Sequence, residues 1–172
     1  MASNRLANQA AWIGPGVTSF NESTLFVPGQ LGMFYEKDGK KYQLVQLTAG
    51  AVAGAAGQAV WWHDFDDFVV NNDISDLTTA RNQPAGVVLG TVTAGNYCWI
   101  QVRGPHSAVK TNADDDIAAG DTLIIAATTD GTVDSVAAGT ASTYVPFGIA
   151  TAADVDADDT VAAILTMPLN GA

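Results

Sequence analysis

The chain has 172 residues, of which 48% are hydrophobic and 15% are charged. A chain of this length can fold as one domain that buries roughly 70% of the surface exposed in its unfolded form. Its 17 glycines and its few charged residues favour short strands and turns over long solvated helices, so the composition predicts an all-β domain. The single cysteine, Cys98, excludes a disulfide within the chain.

The net charge of −11 is unevenly distributed along the chain. All seven basic residues precede position 111, whereas ten of the 18 acidic residues follow it. An acidic surface repels phosphate backbones, so the charge disfavours nucleic acid as a partner. Residues 111–172 are therefore expected to form a solvated outer surface or, as the alternative, to dock on a basic protein surface.

Residues 1–20 contain no continuous apolar stretch, and a Gly-Pro-Gly sequence interrupts them. Neither a signal peptide nor a membrane span fits this pattern, which predicts synthesis in the cytoplasm and no membrane partner. We expect an extended arm, because Trp12 has few apolar neighbours that could bury it locally. The arm would lie either on its own domain or on a neighbouring molecule, and residues 21–172 are expected to form a single β-rich domain.

Strand and turn signals alternate after this arm. Asp38-Gly39 predicts a type I′ hairpin turn, because both central positions of that turn need positive φ. The small residues 48–59 indicate a loop, since they form no wide apolar helical stripe. The strands expected in this part of the chain cover residues 24–27, 31–36 and 41–47.

Residues 60–70 are the most aromatic stretch of the chain. Alternation places Trp62 on one face of a strand and Trp61 with His63 on the other. A polar connection over residues 71–84, with one helical turn at 75–80, is expected to follow.

Residues 85–105 are the stretch around which the fold is expected to be organised. They predict a buried strand, a tight turn at Ala94-Gly95-Asn96 and a second, strictly alternating strand. In this second strand Cys98, Ile100 and Val102 share one face, which is expected to be core, and the opposite face is amphipathic.

Short strands recur in the last third of the chain, and turn residues separate them. This spacing predicts a compact small barrel or sandwich of antiparallel strands and hairpins. Pro146 is expected to mark a strand edge or a bulge. The strands expected here cover residues 108–110, 122–127, 132–136, 144–150 and 160–167.

Acidic clusters raise the question of a metal site. Residues 154–158 have the opening spacing of a calcium loop, but Asp159 stands where a glycine is needed and Leu165 where a bidentate glutamate belongs. An EF-hand is thereby excluded. His63 and the aspartates that follow it could hold a metal ion, but a single histidine among aromatic residues favours a packing strand or an interface.

The sequence contains no motif that indicates an enzyme. Cys98 and His106 are eight residues apart, and no nucleophile elbow or other activating context accompanies them. No glycine run ends in the Gly-Lys-Ser or Gly-Lys-Thr of a phosphate-binding loop. The sequence therefore predicts a protein with no catalytic residues, no cofactor and no metal.

Four stretches resemble, in chain order, small structural proteins of tailed bacteriophages, a group that includes capsid decoration or cement proteins. They are LGMFYEKDGKKYQLVQL, AGVVLGTVTAGNYCWIQVRGP, IAAGDTLIIAATTDGTV and FGIATAADVDADDTVAAILTMP. The resemblance covers residues 31–168 and rests on Gly-Asn-Tyr, Gly-Pro and Ala-Gly-Asp turn patterns. It implies an all-β module, often a homotrimer, on the outside of a capsid where major capsid proteins meet.

The function implied by this resemblance is mechanical. The protein would bind the major capsid protein and copies of itself, bridge capsid subunits and be assembled into the virion in the host cytoplasm. Because buried aromatic anchors dominate interface energy, Trp12, Phe20 and Phe26 are the expected contacts, followed by Trp61 and Trp62. The alternative is a virion module that recognises host-surface glycans, with Trp61, Trp62 and nearby aspartates as a sugar platform.

Overall fold

The computed structural model describes residues 31–76, 83–112, 116–154 and 159–167. All ten strands in these ranges belong to one hydrogen-bonded sheet, which confirms the all-β prediction. The described residues include no helix that is long and apolar enough to cross a membrane. The elements are β1 (Phe34–Lys37), β2 (Lys40–Leu47), β3 (Ala59–Asp64), β4 (Val69–Asn71), a 3-10 turn (Ile74–Asp76), β5 (Pro84–Val88), β6 (Tyr97–Lys110), β7 (Thr122–Ile125), β8 (Val133–Val136), β9 (Gly148–Ala150) and β10 (Thr160–Thr166).

Five strands close into a small barrel in the order β2, β4, β3, β5 and β6, because β6 also pairs with β2. The barrel is mixed, since β2 and β4 run parallel while the other pairs are antiparallel. The parallel pair departs from the predicted antiparallel arrangement because the β3–β4 hairpin inserts between β2 and β5. The barrel interior is apolar and holds Val45, Leu47, Val60, Trp62, Val70, Ala85, Val88, Val92, Cys98, Ile100 and Val102.

The remaining strands extend the sheet from the far half of β6, in the order β10, β9, β7 and β8. One side of this C-terminal sheet packs on the outside of the barrel. A second apolar cluster fills the space between them, to which Ala59, Trp61 and Val87 contribute from the barrel and Leu123, Phe147 and Leu165 from the sheet. The fold therefore has two core layers that share β3, β5 and β6.

The central hairpin is confirmed as a pairing, and the predicted turn at Ala94-Gly95-Asn96 is present, since Gly95 has a φ of 83° and Asn96 N donates a 3.1 Å hydrogen bond to Thr93 O. Val87 pairs with Gln101 and Val88 with Ile100, while the connection between the strands runs over residues 89–96. This connection is long because Val92 forms two backbone hydrogen bonds with Gly54, of 2.8 and 2.9 Å, across the barrel.

The alternation predicted for β6 is confirmed, since Cys98, Ile100 and Val102 are at most 1% exposed and line the barrel. The strand is longer than expected, because it continues through Pro105 to Lys110 instead of ending at a turn. Its neighbour changes at this point from β2 to β10. Pro146, expected at an edge or bulge, lies before β9 and outside the strand.

One further predicted turn and one predicted loop are present in the structure. Asp38 and Gly39 have φ angles of 53° and 74°, as a type I′ turn requires, and Lys37 pairs with Lys40 across them. Residues 48–58 form a loop without a named strand. The expected strand at residues 24–27 and most of the expected helical turn at 75–80 lie outside the described residues.

Candidate protein interface

Trp61 and Trp62 are both core side chains, with exposures of 1% and 2%. Trp62 points into the barrel, where its ring centroid lies 5.1 Å from that of Phe65 and 6.4 Å from that of Phe68. Trp61 points the other way, into the layer between the barrel and the C-terminal sheet. The alternation predicted for Trp61 and Trp62 is correct, but β3 is buried on both faces from Ala59 to Trp62. Neither ring is presented to a partner, and neither can form an exposed sugar platform.

Trp12, Phe20 and Phe26, the other expected contacts, lie outside the described residues, as does the whole of the expected arm over residues 1–20. The described part begins at Leu31, which packs against Leu44 and Trp99 on the outside of the barrel. Gly32 N donates a 2.8 Å hydrogen bond to Leu44 O, so the chain is held along β2 from its first described residues.

The outside of the barrel over β1, β2 and β6 carries a cluster of aromatic and aliphatic side chains, here termed the aromatic face. Its centre is the cross-strand pair Leu44 and Trp99, which are 1% and 6% exposed. Half-buried side chains surround this centre and keep part of their surface in solvent. The members of the aromatic face are Leu31, Tyr35, Tyr42, Leu44, Leu89, Tyr97 and Trp99.

Two tyrosines of the aromatic face are cross-strand neighbours on β1 and β2. The ring centroids of Tyr35 and Tyr42 lie 6.4 Å apart, with an interplanar angle of 31°. Burial, then the negative charge of Asp38 and then Tyr35 raise the pKa of Tyr42. Tyr42 therefore stays a neutral hydrogen-bonding phenol at neutral pH, and it combines a large apolar ring with a polar tip.

Two glutamine side chains hold the strand that supplies Trp99 and Tyr97. Gln101 is 1% exposed, and its Nε2 donates to the carbonyl oxygens of Arg103, Gly104 and Pro105 over 3.0 to 3.3 Å. Gln46 Nε2 donates a 2.8 Å hydrogen bond to Gly95 O, in the connection just before Tyr97. The aromatic face is thus built on a fixed backbone, which lowers the entropy lost on binding.

Four of the seven basic residues of the chain converge beside the aromatic face, in a group here termed the basic corner. They come from the β1–β2 hairpin and from β6, which meet where Lys41 pairs with Arg103. The corner lines an open cleft of about 270 Å³. Its charged residues are Lys37, Lys40, Lys41 and Arg103, with Glu36 and Asp38 as the acids.

The cations of the basic corner differ in what they contact. Lys41 Nζ lies 3.6 Å from Glu36 Oε1 and 4.5 Å from the centroid of the Phe34 ring, so this charge is partly neutralised within the hairpin. Burial, and secondarily the charge of Lys40, lower the pKa of the nearby His106 to about 4. At neutral pH the corner therefore consists of four cations, two carboxylates and an adjoining neutral imidazole, in a chain whose net charge is −11.

The sequence did not single out the aromatic face. Tyr97 and Trp99 were expected on the amphipathic face of β6, but their proximity to Tyr35 and Tyr42 depends on the pairing of β2 with β6. That pairing joins residues more than 50 positions apart in the sequence. The available signal was the density of tyrosines on predicted strands, which does not tell which strands are neighbours.

The acidic residues considered for metal binding serve other purposes where they are described. Asp64 Oδ1 accepts hydrogen bonds from the backbone N–H groups of Asp66 and Asp67, at 2.9 and 3.2 Å, and so stabilises the turn after β3. His63 is exposed beside this turn. Within the described residues no group of three or more histidines, cysteines, aspartates or glutamates could hold a metal ion. Residues 155–158 of the aspartate-rich segment lie outside the described part.

One acid of the last third is buried, contrary to the expectation that this region is entirely solvated. Asp121 is 7% exposed, and its two carboxylate oxygens accept 2.9 Å hydrogen bonds from Ala118 N and Ala138 N. Asp121 thereby joins two loops at one end of the C-terminal sheet.

Cys98 lies fully buried in the barrel, where burial raises the pKa of its thiol to about 12. It is therefore a core side chain, and no thiolate forms near neutral pH.

No protein-family model matches the sequence, and no curated protein matches it. Among solved structures, the chain is similar to the head fiber gp8.5 N base of bacteriophage phi29. The identity is 17%, the match covers 73% of this chain and 92% of that chain, and the TM-score is 0.48. At this identity and score, the similarity carries no argument about function.

Proposed function

We propose that this protein is a structural component of a bacteriophage head, which attaches to the outside of the capsid and bridges major capsid protein subunits. The resemblance of four of its stretches to small phage structural proteins supports the class. The observation that carries the proposal is the aromatic face with its adjoining basic corner, on one side of a rigid all-β barrel.

The composition of this surface suits a protein interface. Tyrosine, tryptophan and arginine are the residue types that most often dominate binding energy, particularly where a packed centre is surrounded by partly exposed rings. Leu44 and Trp99 are already buried and support this surface from below, while Tyr35, Tyr42 and Tyr97 are half-buried around them and present the rings that a partner can cover. A partner that covers these rings would remove apolar surface from water at little cost in side-chain entropy.

The basic corner would orient this encounter. Because the rest of the molecule is acidic, a patch with four cations and two carboxylates differs in sign from its surroundings. Such a patch steers association toward an acidic area of the partner and disfavours other orientations. The major capsid protein would accordingly present an acidic rim next to an apolar surface.

The N-terminal arm would extend the same contact. The described chain begins at Leu31, which is itself a member of the aromatic face. Trp12, Phe20 and Phe26 precede it and would add apolar anchors next to the tyrosines.

The structure does not favour the glycan-binding alternative. That function depended on the rings of Trp61 and Trp62, which are only 1% and 2% exposed.

The experiment is co-sedimentation of purified protein with empty capsids of its source phage. The double variant Tyr35→Ala/Tyr42→Ala is expected to bind at least about tenfold more weakly, because two interface rings are lost. Tyr144→Ala is the matched control, since it removes another half-buried tyrosine ring that lies outside the aromatic face. Binding by the double variant equal to that of the control, with both variants folded by circular dichroism, would contradict the proposal.

A further inference from the structure

The outward side of the C-terminal sheet carries two adjacent exposed isoleucines. Ile149 on β9 and Ile164 on β10 are direct cross-strand partners, and each is 47% exposed. Their neighbours along β10, Ala163 and Leu165, point the other way into the core and are at most 1% exposed. The isoleucines therefore lie on the solvent side of β9 and β10, whereas Ile124, on the same side of β7, is only 4% exposed.

This face continues as one row of residues across all five strands of the C-terminal sheet, here termed the outer row. Pro105 pairs with Ile164, Ile164 with Ile149, Ile149 with Thr122 and Thr122 with Val136. No member of the row is charged, in a chain with 18 acidic residues. The row thus forms an uncharged strip in an acidic molecule, with its most exposed apolar residues near the middle.

Two opposite charges stand at the two edges of this face. Arg103 on β6 pairs with Thr166, two residues beyond Ile164 on β10. Asp134 on β8 pairs with Ile124, two residues beyond Thr122 on β7. Because β7 and β10 are both antiparallel to β9, these displacements have the same direction, so Arg103 and Asp134 lie in the same neighbouring row.

We propose that two copies of this chain pack these faces against each other across a two-fold axis parallel to β9. In the strand order β6, β10, β9, β7 and β8, β9 is central, so such an axis exchanges the two edges. Arg103 of each copy then lies opposite Asp134 of the other, and Ile149 meets its own counterpart at the axis. The surface is self-complementary in charge, as an isologous contact requires.

The charge pattern favours a second copy over a different partner. Two molecules of charge −11 repel each other, and the cost of contact is lowest where the contact surface is free of unpaired carboxylates. Here Asp134 is the one acid among the strand residues on the outward side of this sheet, and it meets an arginine. Asp134 Oδ1 accepts a 2.6 Å hydrogen bond from Ser135 N, which fixes the carboxylate and leaves Oδ2 for the guanidinium.

The contact is small for a stable dimer. A face five strands wide spans about 20 Å across the strands, at the low end of specific interfaces. We therefore expect a concentration-dependent equilibrium between monomer and dimer for the isolated protein, and a larger dimer population where attachment to a larger particle concentrates the copies. The inference concerns self-association and does not depend on what the aromatic face binds, but it gives Arg103 of the basic corner to the second copy and leaves Lys37, Lys40 and Lys41 for the capsid.

Sedimentation equilibrium over a wide concentration range tests this contact. The wild-type protein should shift from monomer to dimer as concentration rises, and Ile149→Glu should remain monomeric. Val52→Glu is the matched control, because Val52 is 40% exposed but lies in the 48–58 loop, away from this face. A wild-type protein that stays monomeric, or that forms trimers, would overturn the proposal.

Charge exchange tests the geometry independently of the isoleucines. Arg103→Asp and Asp134→Arg should each weaken dimerisation by placing like charges opposite each other, and the double variant should restore it. A double variant no better than the single variants would overturn the two-fold arrangement.

Crosslinking at the axis gives a second readout. Ile149→Cys should be joined to its counterpart by a bismaleimide of about 10 Å, the separation of packed sheets, whereas Val52→Cys should not. The native Cys98 is buried and does not interfere. Equal crosslinking of both variants would contradict the proposal.

Capsid binding distinguishes a second copy from a capsid protein as the occupant of this face. If the wild-type protein is a monomer and Ile149→Glu abolishes its binding to capsids, a capsid protein covers the face and the proposal is wrong.

Discussion

At the residue scale, His106 shows how burial alters an ordinary side chain. Its Nδ1 accepts a 3.2 Å hydrogen bond from Ala108 N, and burial together with Lys40 lowers its pKa from 6.5 to about 4. The neutral imidazole is therefore the form that fits the folded protein. His106 lies on β6, opposite Ala163.

This environment makes stability depend on pH. The folded pKa is depressed, so the unfolded chain binds more protons between pH 6.5 and about 4, and the free energy of unfolding falls as pH is lowered through that window. We expect His106 to account for a loss on the order of 2 to 3 kcal/mol. Urea denaturation at several pH values should show this slope in the wild type and a smaller one in His106→Gln.

The titration itself can be observed directly. The chain has two histidines, so the variant His63→Gln leaves His106 as the single imidazole in the NMR spectrum. Its resonances should shift with a midpoint near pH 4. A midpoint close to 6.5 would show that the imidazole is solvated and would remove the cause of the stability change.

Gly39 tests the β1–β2 turn at the same scale. Its φ is 74°, and a Cβ placed there would meet nothing within 4 Å, so the cost of a side chain is conformational and not steric. Gly39→Val is expected to destabilise the protein by about 1 kcal/mol or more. Gly50→Val is the control at an exposed loop glycine without positive φ. Equal urea midpoints for the two variants would contradict a strained turn.

At the element scale, β6 connects the two halves of the molecule. It pairs with β2 and β5 over its first residues and with β10 over its last ones. At the changeover, Gln101 Nε2 donates to the carbonyl oxygens of Arg103, Gly104 and Pro105, three residues that pair with β10. This side chain therefore adds hydrogen bonds within β6 where the strand passes from one neighbour to the next.

Removing this amide should therefore weaken the whole fold. Gln101→Leu removes hydrogen bonds to one buried and two half-buried carbonyl oxygens and is expected to cost about 1 to 3 kcal/mol of unfolding free energy. Gln46→Leu removes a single 2.8 Å hydrogen bond from a half-buried site and should cost less. Chemical denaturation compares the two, and an effect of Gln101→Leu no larger than that of Gln46→Leu would refute this role for the amide.

Sequence patterns predicted which residues form strands and turns better than they predicted which strands lie next to each other. The alternation of Cys98, Ile100 and Val102 and the Asp38-Gly39 turn are local features, and both are present as expected. The burial of both tryptophans of β3 could not be predicted, because it depends on a second sheet that packs on the barrel. For the same reason the tyrosines of the aromatic face gave no signal as a group, since strands distant in sequence bring them together.

At the scale of the whole molecule, charge and apolar surface are separated. The basic corner and the aromatic face lie on β1, β2 and β6, whereas ten of the 18 acids follow position 111. This arrangement favours an orientation in which the barrel side contacts a capsid and the acidic loops face solvent, because burying unpaired carboxylates is costly.

Truncation and neutralisation test this orientation. Deleting residues 1–20 should leave a folded protein that no longer co-sediments with empty expanded capsids, because Trp12 and Phe20 are removed. Asp154→Asn with Asp156→Asn should bind like the wild type, since these acids would face solvent. Full binding by the truncated protein, or lost binding by the neutralised one, would mean that the orientation is reversed.

The most direct test of capsid attachment is a cryo-electron microscopy reconstruction of the phage particle that carries this protein. We predict density for the barrel on the outer capsid surface, with Tyr35, Tyr42 and the basic corner against the major capsid protein and the β9–β10 connection pointing to solvent. Density inside the shell, no density on the capsid, or a barrel that contacts the capsid through its acidic loops would contradict this account.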